Sequence, residues 1–252
     1  MAIRNIVHAA AAGIVILAAA GARADGINVF QATLAESGQK TSEVSTEQMR
    51  RILLEDSAIV LDTRSRLEFD AGHIPAARNL VVVPEGQVAA VLQMVGGDKE
   101  KALVLYCNGP YCQASRRLAD QLVDAGFSNV RRYQLGIPIW RALGGPTAIE
   151  LGGFKRVFGH DQTAVFIDAR ATDDFVNGSL QGALSAPVND ILSGKLKKIS
   201  LPEDDFNRRV VLFGRDGAQA RQLADVLSKR PWHNVSYFAG SYEALTADIQ
   251  AK

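Results

Sequence analysis

The sequence contains an internal repeat, and this repeat limits the fold more than any other feature. Residues 58–80, AIVLDTRSRLEFDAGHIPAARNL, align with residues 164–186, AVFIDARATDDFVNGSLQGALSA, at an offset of 106. Residues 117–130 and 222–235 align at an offset of 105. Two copies with the same internal order predict two duplicated domains. Identical residues pair at Asp62 and Asp168, Arg64 and Arg170, Phe69 and Phe175, Gly72 and Gly178, and Ala77 and Ala183.

Each copy alternates between strand and helix patterns. In the first copy, residues 45–55 form an amphipathic pattern that begins with a capping box, Ser45 and Gln48. Short apolar runs at 58–63, 102–107 and 129–136 predict strands, and Ser115–Gly126 predicts a helix. Strands separated by helices indicate an α/β domain with a mostly parallel sheet, whose chemistry sits beyond the carboxyl ends of its strands.

The amino terminus has the layout of a secretory signal peptide. A short basic start precedes an apolar core at 9–20, and the segment ARA at 22–24 offers small residues for cleavage after Ala24. The core is shorter than the roughly 20 residues that span a bilayer. We therefore expect a signal peptide at 1–24, domains at 25–146 and 147–252, and a periplasmic protein with no membrane span after cleavage.

Charge and composition exclude several classes of partner and cofactor. Removing residues 1–24 deletes two arginines and no acid, so the formal charge changes from +1 to −1. No basic stripe stands out, so no nucleic acid partner is expected. Two cysteines are too few for a Cys-based zinc site, and the histidines of the mature chain show no metal-like spacing to them. We expect neither a metal nor a cofactor; the sequence leaves the oligomeric state open.

Both cysteines lie in one segment, VLYCNGPYCQASRRL, residues 103–117. Cys107 ends an apolar strand and precedes the turn residues Gly109 and Pro110 and the start of a helix. Backbone N–H groups and a helix amino terminus stabilise a thiolate and lower the pKa of a cysteine. A small buried residue that ends a strand fits the same position. Position alone leaves both interpretations open.

Three segments of residues 58–146 resemble a rhodanese (sulfurtransferase) domain: DTRSRLEFDAGHIPAARNL, the LVLYC strand with its loop, and LGIPIWRALGGP at 135–146. Residues 164–245 resemble a second such domain. Two departures from the family pattern are Ala76, where glycine is usual, and Leu135, where the closing pair is usually Gly-Gly. The resemblance implies two rhodanese-like α/β domains, each a mostly parallel sheet flanked by helices.

The resemblance also implies a chemistry. Cys107 takes the position of the family's nucleophile, which accepts sulfane sulfur from a small anion such as thiosulfate as a persulfide. The sulfur then passes to cyanide, a thiol or a protein acceptor. The loop that would hold the anionic sulfur consists of Asn108, Gly109, Pro110, Tyr111, Cys112 and Gln113.

The second copy has Gly214 at the position of Cys107. A leucine that the two copies share follows Cys107 by 11 residues in the first copy, at Leu118. It follows Gly214 by 9 residues in the second copy, at Leu223. We therefore predict an active first domain with a longer loop and an inactive second domain. Tandem members of the family commonly have the opposite order.

Cys112 has two interpretations. In an oxidising compartment it could be a redox partner of Cys107, or it could be an ordinary loop residue. A bridge requires Cα atoms within about 7 Å, which a sequence does not show. The alternative function is a periplasmic thiol redox, sulfur-binding or partner-docking protein that uses this pair.

Other candidates are weaker. A phosphatase of this fold would need arginine where Gln113 stands, and no histidine lies near the loop in sequence to make a Cys-His hydrolase. The remaining polar candidates fit structural or solvated roles better than catalytic ones. We expect structural roles for Asp62, Arg64, Arg170 and His73. We expect Arg116 and Arg117 to lie on a solvated helix face, and Trp140 to lie in the core.

Overall fold

The computed structural model describes residues 38–80, 82–195, 201 and 204–249. Within these ranges the chain forms two α/β halves, each built on one five-stranded parallel sheet flanked by helices. The predicted fold class, two α/β domains with mostly parallel sheets, is confirmed. The predicted signal peptide at 1–24 lies outside the described residues. None of the helices formed by the described residues is long and apolar enough to cross a membrane.

Each half repeats the same order of elements. The first half consists of β1 (Ser42–Glu43), α1 (Thr46–Glu55), β2 (Ile59–Asp62), α2 (Arg66–Ala71), β3 (Arg78–Asn79), a 3-10 turn (Pro84–Gly86), α3 (Gln87–Met94), β4 (Leu103–Tyr106), α4 (Ala114–Asp124), β5 (Val130–Tyr133) and α5 (Gly136–Ala142). The second half consists of β6 (Thr147–Ile149), α6 (Leu151–His160), β7 (Val165–Asp168), α7 (Thr172–Val176), β8 (Leu184–Ser185), α8 (Val188–Leu192), β9 (Val210–Phe213), α9 (Gly217–Leu227), β10 (Val235–Phe238) and α10 (Tyr242–Ile249).

The two sheets have equivalent strand orders, β1-β5-β4-β2-β3 and β6-β10-β9-β7-β8. Every paired strand runs parallel to its neighbour. The carboxyl ends of the strands in one sheet therefore meet at one edge. In the first sheet this edge brings together the residues that follow β2, β4 and β5, which include Thr63, Cys107 and Gln134.

Local sequence explains the elements beside this edge. All four residues of β4 are buried, as are those of β9, and an uninterrupted apolar run suits a strand covered on both faces. Helix α1 begins with the predicted capping box: Ser45 Oγ accepts from the Gln48 amide, and Gln48 Oε1 accepts from the Ser45 amide at 2.7 Å. Helix α4 buries Leu118, Ala119 and Leu122 against the sheet.

The two halves are joined by a short antiparallel bridge. His73 and Ala148 exchange two backbone hydrogen bonds, each 2.9 Å long. The Glu150 amide donates to the carbonyl of Asp70 at 3.1 Å, where α2 packs against α6. Beside this junction a groove of about 440 Å³ is lined by both halves, including Trp140 and Arg221. None of residues 107–113 is among the described residues that line it.

Ala76 has a left-handed backbone conformation, with φ of 63°. This is the position where the family usually has glycine, and the equivalent residue of the second copy is Gly182, with φ of 77°. A side chain in this region costs about 1–2 kcal/mol that glycine does not incur. Ala76 is exposed, so its methyl group contributes little burial in return. The first half therefore contains a backbone strain that the second half avoids.

This difference predicts opposite effects of two reciprocal substitutions. Ala76→Gly should raise the free energy of unfolding of the first half by about 1 kcal/mol. Gly182→Ala should lower that of the second half by a similar amount, because an added Cβ there has no neighbour within 4 Å and only the backbone responds. Denaturant titration of the full chain measures both. Equal signs for the two substitutions would contradict the prediction.

Candidate active site

Cys107 directly follows β4 at the carboxyl edge of the first sheet. The residue is 4% exposed, and its carbonyl accepts a hydrogen bond from the Ile137 amide at 3.2 Å. Residues 107–113 form the loop from β4 to α4. Gly109 is buried in this loop and Pro110 is half-buried. Asn108, Tyr111 and Gln113 are exposed, and Tyr111 reaches 83%.

A disulfide bond joins Cys107 to Cys112 in the structure. The two Cα atoms are 6.1 Å apart, within the range that a disulfide spans without backbone movement. A turn creates this approach, since the Cys112 amide donates to the Gly109 carbonyl at 3.0 Å. Cys107 is buried, whereas Cys112 is partly exposed. The loop therefore holds the two sulfurs in contact, with unequal access to solvent.

The amino terminus of α4 faces this loop. Its N-cap residue, Gln113, makes no side-chain capping hydrogen bond within the described structure. The first turn of a helix carries unpaired N–H groups and a partial positive charge, which stabilise an anion placed beside them. The equivalent helix of the second half, α9, is capped by Asp216, whose Oδ1 accepts from the Gln219 amide at 2.8 Å. In the second half, the Asp216 carboxylate thus lies at the helix terminus. An anionic sulfur on Cys107 would lie at the equivalent place in the first half.

Glu68 forms a hydrogen bond with the loop that contains Cys107. Asn108 Nδ2 donates to Glu68 Oε1 at 2.5 Å, across 40 residues of sequence. Glu68 also closes a capping box with Ser65 at the start of α2. Hydrogen bonds from Ser65 and from Asn108 lower the pKa of Glu68, so its carboxylate stays charged. The second copy has Ala171 and Asp174 at the equivalent positions, and Ala171 makes no side-chain cap in its described surroundings.

Gln134 and Gly136, which follow β5, also pack against the Cys107 loop. Gln134 is 3% exposed, and its Nε2 donates to the Pro110 carbonyl at 3.4 Å. Gly136 adopts φ of 62° and lies directly against the loop backbone. A Cβ at Gly136 would overlap the Cys107 carbonyl oxygen and the Gly109 amide nitrogen. Residue 136 must therefore be glycine for the loop to keep this position.

A buried ion pair holds the strand that carries Cys107. Arg64 Nη2 donates to Asp62 Oδ2 at 2.5 Å and to the Gly72 carbonyl at 2.8 Å. The Tyr106 hydroxyl donates to Asp62 Oδ2 at 2.5 Å. Burial raises the pKa of Tyr106 well above its usual value, so the phenol remains a neutral donor. The second copy repeats the pair with Arg170 and Asp168 at 2.7 Å.

The remaining polar candidates have structural partners. His73 stacks on Phe69, with ring centroids 3.7 Å apart, and its Nδ1 lies 3.0 Å from the Phe69 carbonyl. Burial lowers the pKa of His73 to about 4, which keeps it neutral at physiological pH. Trp140 is 4% exposed and donates from Nε1 to the Pro146 carbonyl. Arg117 is exposed on α4, and Arg116 pairs with Asp120 at 4.0 Å.

The equivalent position in the second half leaves little room for a side chain. Gly214 follows β9 as Cys107 follows β4. A Cβ there would lie 3.0 Å from Gln219 Oε1 and 3.1 Å from the Ala220 amide nitrogen. Gln219 Oε1 accepts from the Arg215 amide at 2.8 Å, so this side chain is fixed in place. Neighbouring atoms therefore crowd the position at which the first half has Cys107.

The comparison with protein-family models agrees with this geometry. The model of the rhodanese-like domain matches residues 45–143 and again residues 154–248. The chain belongs to the rhodanese-like family. No group of three or more metal-ligating side chains occurs in the part of this rhodanese-like chain that the structure describes.

Individual relatives cover one part of the chain each. A thiosulfate sulfurtransferase, GlpE, of Pseudomonas putida strain GB-1 is 31% identical over 39% of this chain and 84% of its own length. The HTH-type transcriptional regulator Rv0324 of Mycobacterium tuberculosis is 36% identical over 34% of this chain. A tRNA uridine(34) hydroxylase of Hamiltonella defensa is 29% identical over 45% of it. The matches span only 36% of the regulator and 31% of the hydroxylase.

Sequence reasoning missed three residues that position the loop: Glu68, Gln134 and Gly136. The difference between the two copies offered a signal for Glu68, because Ser65 and Glu68 are replaced by Ala171 and Asp174. For Gly136 the sequence predicted a glycine turn after a strand and a place in the closing segment LGIPIWRALGGP, but no contact with the Cys107 loop. Its contact with the loop depends on how α5 approaches β4, which the local pattern does not encode.

Gly136→Ala should displace the Cys107 loop. In the reduced Cys112→Ser background, we expect the alkylation rate of Cys107 by iodoacetamide to fall on the order of tenfold, because the thiolate loses its place at the helix end. Gly126→Ala is the matched control. Its φ is 89°, so it incurs a similar backbone cost, but its added Cβ would meet only Lys99 at 3.7 Å. An equal loss in both variants would refute the positioning role of Gly136.

His73 predicts a dependence of stability on pH. Burial lowers the folded pKa of His73 to about 4, whereas an unfolded histidine has a pKa near 6.5. The unfolded chain therefore binds a proton that the folded chain rejects, and stability falls as pH drops from about 6.5 to 4. The contribution is on the order of 3 kcal/mol over that window. His73→Ser, which copies Ser179 of the second half, should flatten this slope in denaturant titrations.

Glu150 acts in the opposite direction in this experiment. Its Oε1 lies 3.7 Å from His73 Nε2, and burial raises its pKa, so the folded chain retains a proton there more readily than the unfolded chain. Glu150 is present in both the wild-type protein and His73→Ser. The difference between their slopes of stability against pH therefore reports on His73. His233→Ser, at an exposed position, is the control. An unchanged slope in His73→Ser would show that His73 is not the group responsible.

Proposed function

We propose that this rhodanese-like protein is an exported, periplasmic sulfurtransferase that carries sulfane sulfur as a persulfide on Cys107. The donor is a small anion such as thiosulfate, and the acceptor is cyanide, a thiol or a protein. The observation that carries the proposal is the position of Cys107: buried at the end of β4, before a helix whose N-cap makes no side-chain capping bond in the described structure. The relative named as a thiosulfate sulfurtransferase supports the same class of reaction.

The reaction begins from the reduced protein. The Cys107 thiolate attacks the outer sulfur of thiosulfate, the sulfur–sulfur bond of the donor breaks, and sulfite leaves with the bonding electron pair. The product is a persulfide anion on Cys107. Cyanide or a thiolate then attacks its terminal sulfur, and the Cys107 thiolate leaves. The amino terminus of α4 stabilises the negative charge on the Cys107 thiolate before and after the cycle, and on the terminal sulfur of the persulfide between the two steps.

The loop supports this chemistry by fixing the sulfur before the donor arrives. Asn108 is held by Glu68, Pro110 by Gln134, and the Cys107 carbonyl by the Ile137 amide. Preorganised donors need no rearrangement when charge develops, which is why they contribute to catalysis. A groove of about 470 Å³ at the same edge is lined by Thr63, whose hydroxyl donates to the Tyr106 carbonyl next to Cys107.

A second candidate function is favoured by the disulfide itself. A protein that only exchanges thiols with partners would use the Cys107–Cys112 pair without binding sulfane sulfur. Export to an oxidising compartment fits either function, since disulfides persist there. The two functions differ in one observable, the gain of a sulfur atom by the reduced protein.

Intact mass spectrometry distinguishes these functions. The Cys112→Ser protein, reduced and freed of reductant, should gain about 32 Da from thiosulfate, the mass of one sulfur atom. Cyanide should then remove that mass and release thiocyanate. Cys107→Ser is the control and should gain nothing. If neither thiosulfate nor another sulfane donor adds sulfur to Cys112→Ser, the sulfurtransferase proposal is wrong and the thiol redox function is favoured.

A further inference from the structure

The loop contains a second sulfur whose position suits one specific reaction. Cys112 Sγ is bonded to Cys107 Sγ, and four residues separate the two cysteines. The turn that joins them is closed by the hydrogen bond between the Cys112 amide and the Gly109 carbonyl. Contact between the sulfurs therefore needs no movement of one domain relative to the other. Any group on Cys107 Sγ is within reach of Cys112.

The two sulfurs have different environments. Cys107 is 4% exposed and lies at the amino terminus of α4, where a leaving thiolate is stabilised. Cys112 is partly exposed and follows Tyr111, which is 83% exposed. An external thiol therefore reaches Cys112 first, and its attack expels the better stabilised thiolate, Cys107. The helix terminus beside Cys107 favours Cys107 as the nucleophile, and the greater exposure of Cys112 favours Cys112 as the sulfur that an external thiol attacks.

The second half lacks both sulfurs together. Gly214 replaces Cys107, and the segment from Gly214 to the shared leucine is two residues shorter than the one that contains Cys112. Cys112 thus lies in a loop whose extra length accompanies the nucleophile.

We propose that Cys112 resolves the Cys107 persulfide and releases sulfide, so that the protein reduces sulfane sulfur as well as transferring it. This inference rests on the proposed persulfide on Cys107. The Cys112 thiol loses its proton and its sulfur attacks Cys107 Sγ, the inner sulfur of the persulfide. The bond between Cys107 Sγ and the terminal sulfur breaks, and the terminal sulfur leaves with the electron pair and the proton as HS⁻. The disulfide between Cys107 and Cys112 is the other product.

The electrons in this step come from the cysteine pair. Two thiol sulfurs are oxidised to the disulfide, and the sulfane sulfur is reduced to sulfide. A second turnover therefore requires an external dithiol, which attacks Cys112, forms a mixed disulfide and then closes its own disulfide. The complete cycle converts thiosulfate and a dithiol into sulfite, hydrogen sulfide and the oxidised dithiol. The protein must consequently work beside a reaction that supplies reduced dithiols.

A single-turnover experiment on the full chain tests the proposal. The protein is reduced, freed of reductant without exposure to air, and mixed with an excess of thiosulfate; sulfide is measured by methylene blue and the protein by intact mass. The wild-type protein should release about one sulfide per chain and become about 2 Da lighter than its reduced form, through loss of two hydrogens. Cys112→Ser should instead keep about 32 Da and release less than a tenth as much sulfide.

Each result separates this inference from the proposed function. If wild-type protein keeps the added sulfur, releases no sulfide and retains a Cys112 thiol that can be alkylated, the resolving role is refuted while the transferase stands. If Cys112→Ser gains no sulfur from any sulfane donor, the persulfide itself is refuted. Cys107→Ser, the reciprocal single-cysteine control, should show neither sulfide nor added mass; sulfide released by this variant would overturn the order of attack.

Discussion

The buried pair of Asp62 and Arg64 is the interaction on which the first half depends. Asp62 ends β2 and lies opposite Tyr106 in the register of the sheet. Its carboxylate binds both the Arg64 guanidinium and the Tyr106 hydroxyl, and that hydroxyl accepts from the Ile74 amide at 3.0 Å. Removing one partner of such a pair leaves an unpaired buried charge, which typically costs 3–5 kcal/mol. The pair therefore fixes the end of β4 and, with it, Cys107.

The second half contains the same ion pair at the end of a strand but has no cysteine after the neighbouring strand. Arg170 and Asp168 reproduce the pair, and the Gly178 carbonyl accepts from Arg170 as the Gly72 carbonyl accepts from Arg64. The ion pair is thus independent of the chemistry at the edge of the sheet. The edge itself has changed: a carboxylate caps the helix, and a glutamine side chain fills the space beside Gly214. In the second half, a residue without a sulfur is thus combined with a helix amino terminus that already has a carboxylate beside it.

Much of the fold follows from local patterns in the sequence. The repeat predicts two similar halves, uninterrupted apolar runs such as the one in β4 predict buried parallel strands, and Ser45 with Gln48 predicts the start of α1. These features depend on residues a few positions apart. The sequence shows that Ala76 stands where glycine is usual. The reason that glycine suits this position, a left-handed backbone, is visible only in the structure.

The site was less predictable because its contacts join distant segments. Asn108 meets Glu68 across 40 residues, and Gly136 meets the loop through the packing of α5. The approach of Cys112 to Cys107 is set by a turn whose closure the spacing alone does not reveal. The described residues that line the groove between the two halves include none of the loop at 107–113.

The central claim is that the first half holds an anionic sulfur on Cys107 at the amino terminus of α4. A crystal structure of the reduced Cys112→Ser protein soaked in thiosulfate tests this most directly. Electron density for one extra sulfur should appear about 2 Å from Cys107 Sγ, directed toward the first turn of α4. No extra density should appear beside Gly214. An unmodified Cys107, or an added sulfur directed away from α4, would contradict the claim.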